Sequence, residues 1–317
     1  MKRSLKYLSL LVAAILVVTG CNLKTDPEKQ LKEAIEKTSK ATSVNEKINA
    51  EVSMKEDGKD VSLNLEGDFD EYMESEEKGA LHGNLKLSSQ GMSYSVEGYA
   101  DIDKNIFGAY LNVAGTWIKF ENKIDEEEFN KVIEQYKDKF NTKDGDEFMK
   151  LVKEVKTEKT EEKGTTKLVV VFDKDKINSE IKDTFSKVKE EAMKEITDAE
   201  DKKDAEEEIS EFEEIINKGI LSDNISCNIY LKDGYISKFE FDMTNLINSI
   251  QKSFNLDKDK LKEFEAAELK AKITIELTKY DKVEKITIPD AAKNGKNFED
   301  LMNDENTSSL LGSFLGM

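Results

Sequence analysis

Three stretches of the sequence predict an α+β fold in which a large antiparallel sheet packs against helices. Between Ile48 and Phe120, apolar residues fall at every second position in segments separated by short turns, the pattern of a meander with one apolar and one wet face. From Asp125 to Val155 and again from Asp173 to Ala199 the apolar spacing lengthens to three and four residues, the period of amphipathic helices. From Ile225 to Ile288 the period of two returns. Strands on both sides of the central helices predict one continuous domain over residues 28–296, and the 317-residue chain is long enough to give it a core.

Ahead of that domain stands a leader. Lys2, Arg3 and Lys6 form a basic start, and Tyr7 to Val18 run almost wholly apolar, too short to span a bilayer but right for a secretion signal. Val18-Thr19-Gly20-Cys21 follows, and it resembles the lipobox of bacterial lipoproteins. That resemblance implies cleavage after residue 20, a diacylglycerol on the Cys21 sulfur, and a protein on the outer face of the cell membrane. Residues 21–27 then read as a polar tether.

Asp26-Pro27 opens a helix predicted over Glu28 to Thr42, with Leu31, Ala34, Ile35 and Ala41 on one face; aspartate caps and proline suits the first turn. Ile48, Ala50, Val52 and Met54 alternate next, and Glu56-Asp57-Gly58 turns the chain. Val61 to Phe69, Leu81 to Leu87 and Met92 to Gly98 repeat the alternation, with a turn at Gly91. Asn105 to Val113 and Thr116 to Phe120 form a hairpin through Ala114-Gly115. Helices are predicted over Asp125 to Phe140 and Asp144 to Val155, followed by a β-branched strand at Thr165 to Phe172. The longest helix, Asp173 to Ala199, carries the stripe Ile177, Ile181, Phe185, Val188, Ala192 and Ile196 and is expected against the concave sheet face. Ile225 to Leu231 and Phe239 to Met243 make a hairpin through Lys232-Asp233-Gly234, and Thr244 to Phe254 a short helix. Leu269 to Leu277 is a long strand, and Ile286-Thr287-Ile288-Pro289 ends the fold. Residues 297–317 form a tail bearing Leu310, Leu311, Phe314 and Leu315, either a frayed end or a segment that docks into a groove or against a partner.

Charge narrows the functional classes. The chain carries −19, and its first twenty residues hold three positive charges and no negative ones, so the processed form carries −22. Such a surface repels nucleic acid and anionic headgroups, leaving acyl chains to hold the protein at a membrane. No arginine follows Arg3, so the bidentate fork that clamps phosphate or carboxylate is missing. Cys227 has no second cysteine to pair with once Cys21 is acylated, and its alternation with Ile225 and Ile229 makes it a buried structural thiol. His82 is the only histidine and reads as solvent-facing; multi-histidine metal sites are unavailable, and a Cys-His pair needs His82 beside Cys227. The runs Asp144-Gly145-Asp146-Glu147 and Asp198-Ala199-Glu200-Asp201 miss EF-hand spacing and read as solvated charge. No cofactor is expected, and histidine poverty disfavours a hydrolase.

Three pieces carry a wider resemblance: Gly108 to Phe120, Tyr230 to Phe241, and Ile286-Thr287-Ile288-Pro289. Together with the lipobox and the element order they resemble the LolA/LolB and LppX/LprG superfamily of half-barrel lipoproteins, and among these the Gram-positive group DUF6612. The resemblance implies a curved antiparallel sheet, a LolA-like half-barrel, wrapped over helices with an apolar hollow between them, used by relatives to hold acyl chains. Aromatic residues then read either as sheet core or as hollow lining. Trp117, Phe239, Phe241, Met243, Ala271, Ile273 and Ile275 are the hollow candidates. Strand parity further predicts that Trp117 and Phe120 point to opposite sides. The expected function is non-catalytic binding of a lipid-like amphiphile by a membrane-tethered protein of the cell envelope. The alternative is a packed core whose acidic surface docks an envelope protein.

Overall fold

The computed structural model describes residues 26–56, 59–75, 77–125, 144–195, 209–210, 213, 216–253, 269–298 and 300. The lipobox, the expected helix at 125–140, the end of the longest helix and the tail beyond residue 300 lie outside the described residues.

A helix, α1 (Pro27–Thr38), opens the chain. Asp26 caps it by accepting a hydrogen bond from the Glu28 amide at 3.1 Å. Then come β1 (Ser43–Glu56), β2 (Lys59–Ser75), β3 (Lys78–Ser89), β4 (Met92–Asp103), β5 (Ile106–Val113) and β6 (Thr116–Lys123), each antiparallel to the one before it. Two of the connecting hairpins and a later one turn at pairs with positive φ: Gln90-Gly91, Ala114-Gly115 and Asp233-Gly234. Two left-handed residues in succession give the turn whose twist matches antiparallel strands.

After α2 (Asp144–Leu151) follow β7 (Val152–Glu158), β8 (Thr165–Phe172), α3 (Lys174–Glu195), β9 (Ser226–Lys232), β10 (Tyr235–Asp242), α4 (Met243–Ser253) and β11 (Lys270–Thr278). A short helix α5 (Asp290–Lys293) and the two-residue β12 (Lys296–Asn297) complete the described chain. All twelve strands join one open sheet in the order β12-β6-β5-β4-β3-β2-β1-β11-β10-β9-β8-β7. The fold is thus α+β, built on one extended sheet that is antiparallel except where β12 runs parallel to β6. A sheet of this width must twist and coil.

The core occupies one half of one face. Leu31, Ala34, Ile35 and Thr38 are the buried positions of α1, a stripe at i, i+3, i+4 and i+7. They meet Leu168, Val170, Cys227, Ile229, Ile236, Phe239, Ile275 and Leu277 from β8 to β11, with Val152 and Val155 of β7 at the margin. Helix α1 therefore fills the concavity over β7 to β11.

Several expectations are corrected. The helix expected to run to Val155 stops at Leu151, because Val152 and Val155 pair with Phe172 and Val170 and extend the sheet. Met243 is the first residue of α4, not the last of a strand, as β10 ends at Asp242. Ile286 to Pro289 form no strand. The stripe of α3 does not fill the concave face: Ile177, Ile181 and Phe185 are half-buried, Val188 is exposed, and α3 packs against α2.

Candidate functional site

The other half of the apolar face has little cover. Cross-strand partners share a face of a sheet, so the register traces this surface strand by strand. Val52 faces Leu63 and Ala50 faces Leu65 between β1 and β2; Leu65 faces Leu87 and Gly67 faces Leu85 between β2 and β3. Leu87 leads to Tyr94, Leu85 to Val96, Gly98 to Leu111, and Leu111 to Ile118. Phe107 and Phe120 belong to the same face through Ile102 and Ala109. Met92 is 59% exposed, Tyr94 54% and Leu111 48%, and Leu63, Leu85, Leu87 and Phe120 each keep about two-fifths of their surface in solvent. Exposed apolar side chains thus run contiguously across β2 to β6, a larger patch than scattered surface residues produce.

Glycines shape its floor. A Cβ on Gly83 would stand 2.1 Å from the Phe69 ring, and one on Gly67 2.4 Å from it. The ring lies across both positions, and only glycine leaves it room. It screens the bare backbone between β2 and β3.

The predicted hollow residues divide. Phe239, Ala271 and Ile275 sit on the same sheet face but are buried within the core, and Phe241 and Ile273 are packed against it. They extend the floor of the open surface without lining its open part. At Ala271 a larger side chain would overpack the core. Met243 starts α4. Trp117 pairs with Asn112 on the opposite side of the sheet, whereas Phe120 pairs with Ala109 on the apolar face, as parity requires. The open surface on β2 to β6 was missed, although its signal was present as the unbroken alternation from Val61 to Phe120.

Two carboxylates interrupt the apolar face. Glu46 pairs with Phe69 and Leu277, and Glu71 pairs with Val44 and Leu81, so both project from the apolar side at the end of β2 away from Leu63. Burial in the concavity pushes the Glu46 carboxyl up to about 7, with the neighbouring charge of Glu71 adding to the effect. Burial raises Glu71 as well; its tip still reaches solvent, but surrounding protein displaces much of the water that would stabilise the ionised form. An acid whose pKa is higher in the folded state makes stability fall as pH rises from its unfolded value, near 4.5, through the folded value of about 7. Glu46→Gln is therefore expected to flatten that part of the stability profile and to raise stability at pH 8 by about 1 kcal/mol, the full shift being discounted for partial exposure. Paired denaturation series at pH 4.5 and 8 measure this, and a constant difference between wild type and variant would show Glu46 to be fully solvated.

The second face carries a different constellation. One cross-strand row runs Thr278, Asn45, Asp70, His82, Tyr99, Tyr110 and Lys119. Asn45 is buried and donates to Asp68 at 2.8 Å and Asp70 at 2.9 Å. His82 is half-buried rather than free in solvent: its ring stacks on Tyr99 with centroids 4.3 Å apart, and its Nε2 lies 3.2 Å from Glu97. Tyr99 in turn meets Trp117 at 5.8 Å.

A strap formed by residues 279–295 crosses this face. Asp281 starts it, accepting from the Thr42 amide at 2.7 Å and the Thr42 hydroxyl at 3.0 Å. Lys285 pairs with Glu74 at 2.5 Å, Ile288 and Ala292 bury against Tyr110 beside Tyr99 and Trp117, and β12 ties the end to β6. The Ile-Thr-Ile-Pro segment thus ends the fold as an extended clasp. Aromatic residues at positions of the wet parity were the sequence signal for it.

Cys227 lies in the core, where burial pushes its thiol well above the usual range, and His82 lies on the opposite face, so no Cys-His pair forms. Among the described residues, no three His, Cys, Asp or Glu side chains converge as metal ligands, and no helix is long and apolar enough to cross a membrane.

No protein-family model matches the chain. No curated protein matches it either. Among solved structures it is similar to the crystal structure of LprF from Mycobacterium bovis, at 10% identity and a TM-score of 0.38, with 84% of this chain and 97% of that chain covered.

Proposed function

We propose that the protein is a lipid-anchored lipoprotein of the cell envelope, held at the outer face of the membrane through Cys21, and that it binds an apolar or amphiphilic molecule without chemical transformation. One observation carries the reading. The apolar face is filled by α1 over β7 to β11 but exposes Leu63, Leu85, Leu87, Tyr94, Leu111 and Phe120 over β2 to β6. Burying even half of those side chains against an acyl chain is favourable by several kcal/mol at about 25 cal/mol per Å². Glu46 and Glu71 give the surface a polar end, so a ligand with an apolar body and a hydrogen-bond-donating head would match both parts. The lipobox resemblance and the half-barrel resemblance support the same reading.

Mass spectrometry tests both halves of the proposal. The N-terminal peptide of the processed protein should carry a diacylglyceryl group on Cys21. An organic extract of the ectodomain beginning at Asn22, purified without detergent or tag, should contain a co-purifying lipid. An unmodified Cys21 would remove the anchor from the account. An extract free of lipid, together with a protein captured on β2 to β6, would replace ligand binding with a docking platform.

A further inference from the structure

Between the strap and the second face lies a recess of about 460 Å³ whose lining includes Asp70, His82, Tyr99, Lys282, Glu284 and Thr287. Its size falls within the usual range for small-molecule sites. It lies across the sheet from the apolar surface, so it stands or falls independently of the lipid reading.

Three features define what it could hold. The first is flat: the rings of His82 and Tyr99 stack on each other, centroids 4.3 Å apart and 22° from parallel, and a third planar group continues such a stack favourably on a face the pair leaves uncovered. The second is charge. Lys279, Lys282 and Lys285 all line the recess, a local excess of cations on a chain of net charge −19. Lys279 is already engaged by Asp70 at 3.5 Å and Lys285 by Glu74 at 2.5 Å. Lys282 is exposed, and its ammonium makes no hydrogen bond or ion pair among the described residues. The third is rigidity. The strap is pinned at one end by Asp281 and by the Val283 amide donating to the Ser43 hydroxyl at 3.1 Å, and at the other by β12 on β6. A recess held at both ends loses little entropy when it is filled.

We propose that this recess binds a small aromatic carboxylate, its ring continuing the His82–Tyr99 stack and its carboxylate meeting Lys282. Asp70 accepts from Asn45 and Lys279 at its Oδ1, which directs that oxygen away from Lys282. Glu284 and Asp70 are the opposing charges on the lining, and they restrict binding to anions small enough to keep their charge on the Lys282 side.

The chain has one histidine, so a single imidazole resonance in the proton NMR spectrum reports directly on the recess. Titrating the mature protein with indole-3-acetate at fixed pH should move that signal saturably, whereas the uncharged analogue indole-3-ethanol should move it far less. Lys282→Gln, at an exposed position, should weaken binding up to about fivefold, the range of an exposed ion pair. Glu284→Gln should tighten it by removing the like charge. Substitutions on the apolar face should leave it unchanged. A shift that fails to saturate at millimolar concentration would overturn the proposal. So would equal affinities for the two indoles with no response to Lys282→Gln, which would leave only adventitious stacking.

Discussion

Leu31→Ala is expected to lower stability by about 2–5 kcal/mol, as large-to-small changes do where the surroundings cannot collapse into the space. Leu31 has no solvent-accessible surface, nor do Ala34 and Ile35 beside it on α1. These side chains close the core against β8, β9 and β10, where Leu168, Ile229 and Ile236 are equally enclosed. Nothing on the surface side of α1 replaces what Leu31 provides, because its other positions are charged or polar. At about 2–4 °C per kcal/mol for a chain of this size the melting temperature should fall by roughly 5–15 °C. Phe185→Ala in α3 should cost less than a fully enclosed phenylalanine does, since that ring is only half-buried. A Leu31→Ala variant that melts with the wild type would place α1 outside the core and leave the whole apolar face open.

Much of this architecture is legible in the residues. Alternation from Ile48 to Phe120 yields β1 to β6 in order, and Asp26-Pro27 marks the start of α1, which runs from Pro27 but ends at Thr38, short of the expected Thr42 and without Ala41. The boundary errors have physical causes. Val152 and Val155 fit a helical spacing of three as well as a strand interrupted by a bulge, and only pairing with β8 decides between them. Met243 continues the alternation of Phe239 and Phe241, yet the Asp242 side chain accepts from the Thr244 amide at 2.9 Å and starts a helix there. Ile286 and Ile288 have strand spacing but are used to clasp the second face, with β12 supplying a short ladder to β6 at that end.

The site was half legible. Parity placed Phe120 and Trp117 on opposite faces and put Phe239, Phe241, Ile273 and Ile275 on one surface. Sequence periodicity reports which face is apolar; it does not report where along that face a helix lies. Whether a given stretch is floor or core depends on α1 covering β7 to β11, as in the packing of α1 on β10, segments about two hundred residues apart. For the same reason His82 read as a solvated residue: its partner Tyr99 comes from the next strand, and the strap that covers both follows much later in the chain.

The central claim is that the surface of β2 to β6 is kept open to receive an apolar molecule. It is tested most directly by titrating the ectodomain beginning at Asn22 with an apolar fluorophore, with a long-chain fatty acid as competitor, in the wild type and in the double variant Leu85→Glu, Leu111→Glu. Leu85 and Leu111 are both exposed, on β3 and β5, so the variant should melt within about a degree or two of the wild type. Two carboxylates buried beneath an apolar ligand without partners would each cost it several kcal/mol or force it off the surface. The account predicts saturable binding to the wild type, displacement by the fatty acid, and a loss of about a hundredfold or more in the variant. Equal affinity in both proteins, or no binding to the wild type, would contradict it.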